Sequence, residues 1–167
     1  MAATVEAGSP PTFHLAQVNI AQMRAPLDSP VMAGFVARLE EINGLADGLP
    51  GFVWRFQNEN GNATYLRPYD DDRILFNLSV WSSPDTLKDF VYRTAHAELL
   101  RQRAQWFDQM TEAWTALWWI SVGHFPSVPE AKARLDRLRA NGPSAHAFTF
   151  RHPFPPPTTV SVAINAP

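Results

Sequence analysis

The chain of 167 residues has the length of one domain and is long enough to bury a sizeable core. Its net charge of −2 argues against nucleic-acid binding, and the absence of cysteine excludes disulfides, thiolate catalysis and cysteine-ligated metals. Only 18% of the residues are charged and 12% are aromatic. We therefore expect apolar surface to be buried on more than one side of a sheet or in an oligomer interface.

The N-terminal segment, residues 1–12, lacks the positive region and apolar core of a secretory signal. We expect a flexible lead-in there and a cytoplasmic protein. The longest apolar run, residues 116–120, is far too short to span a bilayer, and no basic run points to an anionic membrane. The sequence thus predicts neither a nucleic-acid partner nor a membrane partner.

The first predicted strand, Phe13–Ile20, alternates between two faces, one of which is apolar at its start and carries Gln17 towards its end. Ser29 and Pro30 then have the composition of a helix start, because serine caps the first turn and proline fits the first helical position. The helix that follows has one apolar stripe and is expected to pack on the sheet.

The second and third predicted strands, Phe52–Gln57 and Ile74–Trp81, contribute further candidate ligand contacts. Asp70–Asp72 lies between them, and we interpret it as a solvated loop tip because no second cluster of metal ligands accompanies it. One face of the third strand mixes polar and aromatic side chains, which is typical of a ligand cavity. The predicted ligand-binding residues of these strands are Arg55, Asn77, Ser79 and Trp81.

The next segment starts like a helix at Ser83-Pro84, but its periodicity changes part-way along. At helical spacing the early apolar residues fall on one side and the later residues on nearly the opposite side. The early set is Leu87, Phe90, Val91 and Thr94; the opposite set is Tyr92, His96, Leu99, Arg103, Trp106 and Met110. Either the helix breaks near Ala95 and His96 or its two halves are buried by different neighbours. Both alternatives place His96 at a junction.

The fourth predicted strand, Trp114–Gly123, is bulky on both faces, so we expect it to be covered on both sides. Helices would cover one side, and a second sheet, possibly from a second subunit, would cover the other. Ser127 and Glu130 have the spacing of a capping box for a helix that runs to about residue 140. A short strand, Ala147–Phe150, and a Pro-rich tail whose residues 160–164 can join a sheet edge complete the chain.

This order of elements predicts one α+β domain over residues 13–152, followed by a Pro-rich tail over residues 153–167. The first six elements form a ferredoxin-like split βαβ sheet with helices on one face, and an extra C-terminal helix and short strand are appended. The second sheet face is too apolar to stay wet, so we expect two sheets packed face to face in a homodimer, a dimeric α+β barrel. An antiparallel α+β sheet that is covered within the chain is the alternative.

Several short segments carry a resemblance to known proteins: His14–Gln17, Pro50–Arg55, Asn77–Trp81, Phe90–His96, Arg103–Phe107, and Trp118-Trp119 leading to Gly123-His124. On these segments, over about residues 13–154, the chain resembles an uncharacterised bacterial family of dimeric α+β-barrel proteins. In fold it is similar to the antibiotic-biosynthesis monooxygenase group. Those proteins are dimers that often act on aromatic polyketides without a cofactor, and related members bind or degrade haem. A strand that ends in Trp81 and a following helix that carries His96 match that group's pattern.

His96, Arg103 and Tyr92 are the candidate catalytic residues. His96 can act as a general base, or as an axial haem ligand, or can be a structural histidine satisfied by hydrogen bonds. Arg103 can bind a carboxylate, phenolate or enolate, or can instead form an ion pair with Glu98 or Asp108. Tyr92 can donate a hydrogen bond to an oxyanion or can lie at an amphipathic rim.

Trp81, Trp106 and Trp119 can line an aromatic pocket or belong to the core. Asn77 and Ser79 share a face with Trp81 and can orient a ligand, and Gln17 and Arg55 are the remaining predicted ligand contacts. The other histidines show no ligand spacing, so we predict no metal site. No cofactor is predicted, and haem is the alternative.

Three functions remain open from the sequence. The first is a monooxygenase-like tailoring enzyme that acts on an aromatic or apolar small molecule, with His96 as base and Arg103 steadying the anion. The second is a haem-binding protein with His96 as the iron ligand. The third is a non-catalytic dimeric ligand-binding or interaction module, and a dry interior without a cavity would favour it.

Overall fold

The structure is a computed structural model that describes residues 12–57 and 66–158. The described chain is an α+β unit with a five-stranded antiparallel sheet and four helices. Two single 3₁₀ turns, Pro30–Met32 and Arg103–Gln105, precede α1 and follow α3. The strands are Phe13–Met23 (β1), Phe52–Arg55 (β2), Ile74–Trp81 (β3), Phe107–Asp108 (β4) and Thr115–Ser121 (β5); the helices are Ala33–Asp47 (α1), Pro84–Arg93 (α2), Ala95–Gln102 (α3) and Val128–Asn141 (α4).

β1 is the central strand of the sheet. β3 pairs with it on one side and β2 pairs with β3, while β5 and the two-residue β4 share its other side. Gln17 lies opposite Ser79 on β3 and opposite Leu117 on β5. Asn19 lies opposite Asn77 and Thr115 in the same way. The polar residues of β1 therefore sit at the middle of the sheet.

The even-numbered residues of β1, β3 and β5 form a dry core under α4. Ala131, Leu135 and Leu138 of α4 are buried in one cluster with them. We expected helices on one face only and a second subunit's sheet on the other, and that expectation is corrected. α4 follows β5 directly and places its narrow apolar stripe on the face that needed a cover, as in the alternative of a sheet covered within the chain. The homodimer stays a prediction.

The opposite face, made by the odd-numbered strand residues, is covered by α1, α2 and α3. Two further apolar clusters join these helices to its edges. One cluster contains Phe35 of α1 and Leu99 of α3, and the other contains Ala46 of α1 and Leu87 of α2. Neither cluster includes Gln17 or the other polar residues at the centre of that face. Space remains there between the sheet and the helices.

The predicted helix starts are confirmed by their caps. Oγ of Ser83 accepts from the backbone N–H of Thr86, and Oγ of Ser127 accepts from that of Glu130. Ser29 caps the 3₁₀ turn that leads into α1 by accepting from Val31. The capping box at Ser127 is only half formed, because the carboxylate of Glu130 binds Trp118 and His124 instead of the helix start.

Of the two alternatives that the periodicity left open, the structure has the helix break, and it lies at Thr94. This residue is extended, with φ −114° and ψ −176°, so α2 ends at Arg93 and α3 begins at Ala95. Its Oγ1 donates to the carbonyl oxygen of Phe90 at 2.6 Å and accepts from the backbone N–H of His96 at 3.2 Å. Thr94 thus closes one helix and caps the next.

Other element boundaries differ from the predictions. β1 continues beyond Ile20 to Met23, and β2 ends at Arg55 rather than at residue 57. The helical segment ends at Gln102, so Trp106 lies outside it. β4 was missed because a two-residue strand has no periodicity of its own.

The predicted final strand at 147–150 is wrong. Phe148 forms an isolated bridge with Leu117, and tight turns surround it. The predictions for residues 1–11, for the Asn60-Gly61 turn and for the sheet-edge segment 160–164 lie outside the described residues.

Candidate functional site

A cavity of about 430 Å³ lies between the odd-numbered sheet face and α1, α2 and α3. This volume falls in the range of small-molecule sites. Side chains of β1, β3 and β5 make its floor, and α1, α2 and α3 make its roof. The roof is mainly apolar, with Phe35, Leu39, Ile42, Leu87, Phe90, Val91, Leu99 and Leu100 facing the space.

The floor has a polar centre because the sheet register aligns polar residues across strands. Asn19 lies between Thr115 and Asn77 in one row. The next row contains Gln17 and Ser79, with Arg55 of β2 beyond Ser79. Successive rows on one face are about 7 Å apart, since a strand rises about 3.4 Å per residue. The polar strip is thus two rows deep and wide enough to contact one edge of a small molecule.

A directed chain of hydrogen bonds crosses this strip. Trp81 Nε1 donates to Ser79 Oγ at 2.9 Å, and Ser79 Oγ donates to Gln17 Oε1 at 2.8 Å. Gln17 Nε2 in turn donates to Asn19 Oδ1 at 2.9 Å. Two predicted ligand-binding residues, Gln17 and Ser79, are therefore locked in place by a third, Trp81. This geometry gives the cavity a pre-organised polar surface.

An aromatic ladder forms one end of the cavity. Trp81 stacks on Phe90 with ring centroids 5.2 Å apart, and Phe90 lies against the ring of His96 at 4.8 Å. Phe52 approaches the edge of Trp81 at 5.3 Å. Phe90 and His96 would be about 120° apart around an unbroken helix, but with the break at Thr94 both face the same space. Residues from the two apolar stripes that one straight helix cannot bury together thus line the same wall of the cavity.

His96 lies at this aromatic end in a largely dehydrated position. Burial lowers the pKa of His96 below its usual value because desolvation penalises the imidazolium, and a hydrogen bond with Val91 opposes the shift. Nδ1 of His96 is 3.3 Å from the carbonyl oxygen of Val91, which can only accept. The neutral ring therefore carries its proton on Nδ1, and Nε2 keeps a free lone pair. This is the protonation state that a general base or a metal ligand needs.

Arg103 lies at the other end of the cavity, where its guanidinium stacks on Trp114 at 4.9 Å. The alternative ion pairs are not formed: Glu98 binds Arg101 and Gln102, and Asp108 pairs with Arg24. Within residues 12–57 and 66–158, Arg103 makes no salt bridge. Its charge is thus available to a ligand.

The ends marked by His96 and Arg103 are well separated. Along the helical path, seven residues place their Cα atoms about 10 Å apart. Trp81, in the ladder that ends at His96, is paired with Leu15, while the carbonyl of Trp114 binds the N–H of Ile20 at the far part of β1. His96 and Arg103 therefore contact different parts of a bound molecule.

No acidic side chain lines the cavity in the part of the chain that the structure describes. Its charged lining residues are Arg55, Arg103 and Arg151. Arg55 pairs with Asp47 at 2.7 Å, and Arg151 is exposed at the edge. A protein with a net charge of −2 therefore has a cavity that favours anions.

The remaining predicted site residues divide into two groups. Tyr92 lines the mouth of the cavity but is 59% exposed, as expected of a rim residue. Trp106 and Trp119 do not line the cavity. Trp106 is buried against Phe35 beyond the roof, and Trp119 donates to the carbonyl oxygen of Phe154 at 2.8 Å. Trp106 is a core residue, and Trp119 is a partly buried residue packed against a core cluster.

Sequence reasoning missed two polar lining residues, Asn19 and Thr115. The alternation of β1 already put Asn19 on the same face as Gln17, so a signal was present. Thr115 had none, because its position opposite Asn19 depends on how β5 pairs with β1. Oγ1 of Thr115 is buried and has no hydrogen-bond partner among the described residues.

Across the described ranges, no group of three or more His, Asp or Glu residues could hold a metal ion. None of the helices in those ranges combines the length and apolarity needed to cross a membrane.

Comparison with known proteins gives a family but no activity. Residues 14–163 match the family described as "Domain of unknown function (DUF3291)". The chain belongs to the DUF3291 family. No curated protein matches it. It is also similar to the NE2512 protein of unknown function from Nitrosomonas europaea, with 9% identity and a TM-score of 0.45 over 70% of this chain and 95% of that one.

Proposed function

We propose that the cavity binds an aromatic or apolar small molecule and that the protein is a monooxygenase-like tailoring enzyme. The observation that carries the proposal is His96, a neutral imidazole with a free Nε2 lone pair in an aromatic-lined cavity. Such a group can take a proton from carbon when the resulting anion is delocalised over an aromatic system. The aromatic ladder formed by Phe52, Trp81 and Phe90 provides a matching surface.

The proposed chemistry uses molecular oxygen as the oxidant. His96 removes a proton from an activated methylene, and the delocalised carbanion gives electrons to O₂. One oxygen atom becomes the product carbonyl, and the other leaves as water with the two methylene hydrogens. The apolar roof limits the number of polar groups that can return a proton to the carbanion, which favours reaction with oxygen.

Oxygen consumption with an anthrone, whose methylene lies between two aromatic rings, tests the proposal. Removing a general base lowers the rate by about 10²–10⁴-fold, so His96→Gln should lose nearly all protein-dependent consumption. His152→Gln, which changes an exposed histidine outside the cavity lining, is the matched control and should keep the full rate. Equal activity of both variants, or no consumption above the buffer rate by the native protein, would contradict the proposal.

Haem binding is the second candidate, because one observation favours it specifically. A metal-bound histidine usually donates its other ring N–H to a backbone carbonyl, and His96 Nδ1 faces Val91 in that way. Arg103 and Arg151 would be available to the propionates. A Soret shift on adding haemin that disappears in His96→Gln would favour haem over the oxygenase. The third candidate is a non-catalytic dimeric ligand-binding or interaction module; the cavity of about 430 Å³ disfavours its form with a dry interior, and ligand binding without oxygen consumption would favour its ligand-binding form.

The finer fold and the assembly are part of the same proposal. The strand order β2-β3-β1-β5, all antiparallel, supports a ferredoxin-like split βαβ arrangement. We further propose a homodimer whose interface is not the sheet-to-sheet contact of an α+β barrel, because helices cover both sheet faces. Light scattering at micromolar concentration tests it, and a monomeric mass would refute it.

A further inference from the structure

The hydrogen-bond chain on the cavity floor has a fixed direction, and its free end determines what a ligand must present. An indole N–H can only donate. Trp81 therefore forces Ser79 Oγ to accept, and the single hydroxyl hydrogen of Ser79 is directed to Gln17 Oε1. That fixes the Gln17 amide with Nε2 towards Asn19, whose Oδ1 must accept.

The direction of this chain determines which atom of Asn19 is left to contact a ligand. Because its Oδ1 is used by Gln17, its remaining polar atom is Nδ2, which carries two donor hydrogens. Nδ2 has no partner among the described residues, and Asn19 lines the cavity. The second hydrogen of Gln17 Nε2 is likewise a donor. Gln17 and Asn19, in the two polar rows of the floor, thus offer N–H groups to the cavity.

The surroundings of this row agree with a ligand that accepts hydrogen bonds. In the described part of the chain the lining contains no carboxylate, and Arg103 is held over Trp114 without an ion pair. Trp114 joins β1 at Ile20, directly beside Asn19, so Arg103 belongs to the same end of the floor. Asn19 and Arg103, two groups able to hold an acceptor or an anion, therefore lie at the same end of the floor.

We infer that the ligand of this cavity is an amphipathic aromatic anion. Its carboxylate or other acidic oxygen group is held by Arg103 and the amide N–H groups of Asn19, while its apolar body extends towards Trp81 and His96. The inference deepens the proposed function, on which it rests for the site. It assigns specificity to Asn19 and places the anion anchor and the proton-transfer group on residues, Arg103 and His96, whose Cα atoms are about 10 Å apart.

The test uses three probes of one shape: 2-naphthoate, its neutral methyl ester, and the cation 2-naphthylmethylammonium. Isothermal titration calorimetry on the full chain measures their affinities. Naphthoate should bind at least about tenfold more tightly than the ammonium, because a charge-assisted contact is worth that factor or more. Arg103→Gln should lower the affinity for naphthoate to the affinity for the ester. Arg101→Gln removes the same charge from a residue that pairs with Glu98 and should change nothing.

Asn19→Asp tests the direction of the hydrogen-bond chain. The carboxylate keeps the oxygen that accepts from Gln17 but replaces the Nδ2 donor by an acceptor. Binding of both naphthoate and the ester should fall by about tenfold or more. Asn43→Asp places the same charge on the α1 side of the cavity. It should weaken naphthoate alone and leave the ester unchanged.

Three outcomes would overturn the inference. They are an ammonium that binds as tightly as naphthoate, an Asn19→Asp variant that keeps its affinity for the ester, and failure of all three probes to bind at millimolar concentration. These binding measurements do not depend on turnover. If the preference for naphthoate holds and is unchanged in His96→Gln while oxygen consumption is absent, the proposed oxygenase chemistry fails and the ligand assignment stands.

Discussion

The two faces of the sheet are made of alternate residues of the same strands, yet they differ in what they enclose. The even face is apolar throughout and lies under α4, with residues such as Val18, Val80 and Trp118 fully buried. The odd face has a polar centre, and its helices pack only against its apolar ends. A helix seated on Gln17 and Asn19 would bury amide groups with no partner for them. The parity of the strand residues thus decides where a cavity can exist.

The largest expected effect separates neighbours on β3. Phe76 is 1% exposed in the even-face core, so Phe76→Ala should lower the free energy of unfolding by about 3–5 kcal/mol. Asn77, the next residue, faces the cavity and is exposed, so Asn77→Ala should change it by no more than about 0.5 kcal/mol. Urea denaturation measures both. Similar losses in the two variants would mean that the odd face is packed as tightly as the even face.

The second prediction compares two buried tryptophans on opposite faces. Trp118 donates to the carboxylate of Glu130 at 3.1 Å, and Trp118→Phe should destabilise by about 1.5–3 kcal/mol through that bond alone. Trp81 donates to the neutral hydroxyl of Ser79, so the hydrogen-bond loss in Trp81→Phe should be about 0.5–1.5 kcal/mol. Thermal unfolding of both variants measures which of them loses more stability.

For ligand binding we expect the reverse order, with the larger effect from the Trp81 variant and none from the Trp118 variant. Trp81→Phe releases the direction of the cavity-floor chain and should weaken naphthoate binding, whereas Trp118→Phe should leave it unchanged. If Trp118→Phe alone affected binding, the assignment of roles to the two faces would be wrong.

The third prediction compares one helix cap from each side of the sheet. Thr94→Ala removes the cap of α3, and Ser127→Ala removes that of α4. Each should cost about 1 kcal/mol of stability in chemical denaturation. Only Thr94→Ala should also weaken naphthoate binding, since Thr94 fixes the bend that turns His96 towards the cavity. Thr94→Ser is the control and should restore binding. A Ser127→Ala variant with equally impaired binding would contradict this difference.

The smallest effect is a dependence of stability on pH. Burial lowers the folded-state pKa of His96 below its unfolded value of about 6.5, so the unfolded chain binds a proton first as pH falls. The stabilisation by neutral His96 is complete above pH 6.5 and is lost as pH falls from there towards the lowered pKa. His96→Gln should flatten that part of the pH profile. His152→Gln is the matched control, and an equal flattening there would refute the assignment.

Much of the local structure could be predicted because it depends on short-range chemistry. Serine before proline predicted the 3₁₀ turn that leads into α1 and the start of α2. The switch of apolar stripes left two alternatives, a helix break or halves buried by different neighbours, and the structure has the break, at Thr94. Strand alternation put Gln17, Ser79 and Trp81 on faces that meet in one cavity. These signals repeat within a few residues, so a single sequence contains them.

Other features depend on which distant segments meet. The periodicity that grouped Trp106 with His96 holds only while the helix continues, and the helix ends at Gln102. Trp119 lies in the predicted strand, but its Nε1 donates to the carbonyl oxygen of Phe154, which belongs to a later segment. The predicted strand at 147–150 has suitable residues, yet its backbone meets β5 only at Leu117.

The sequence by itself determined the helix caps, the change of apolar stripe near His96 and the alternation of side chains between the two faces of each strand. Only the tertiary structure decided that α4 covers the even face, that β5 places Thr115 beside Asn19, and that Arg103 rests on Trp114 rather than on a carboxylate. Caps and alternation are set by the nearest few residues. Segments far apart in the chain compete to cover a sheet face, to pair with a strand and to contact a long cationic side chain. The outcome of that competition cannot be read from neighbouring residues.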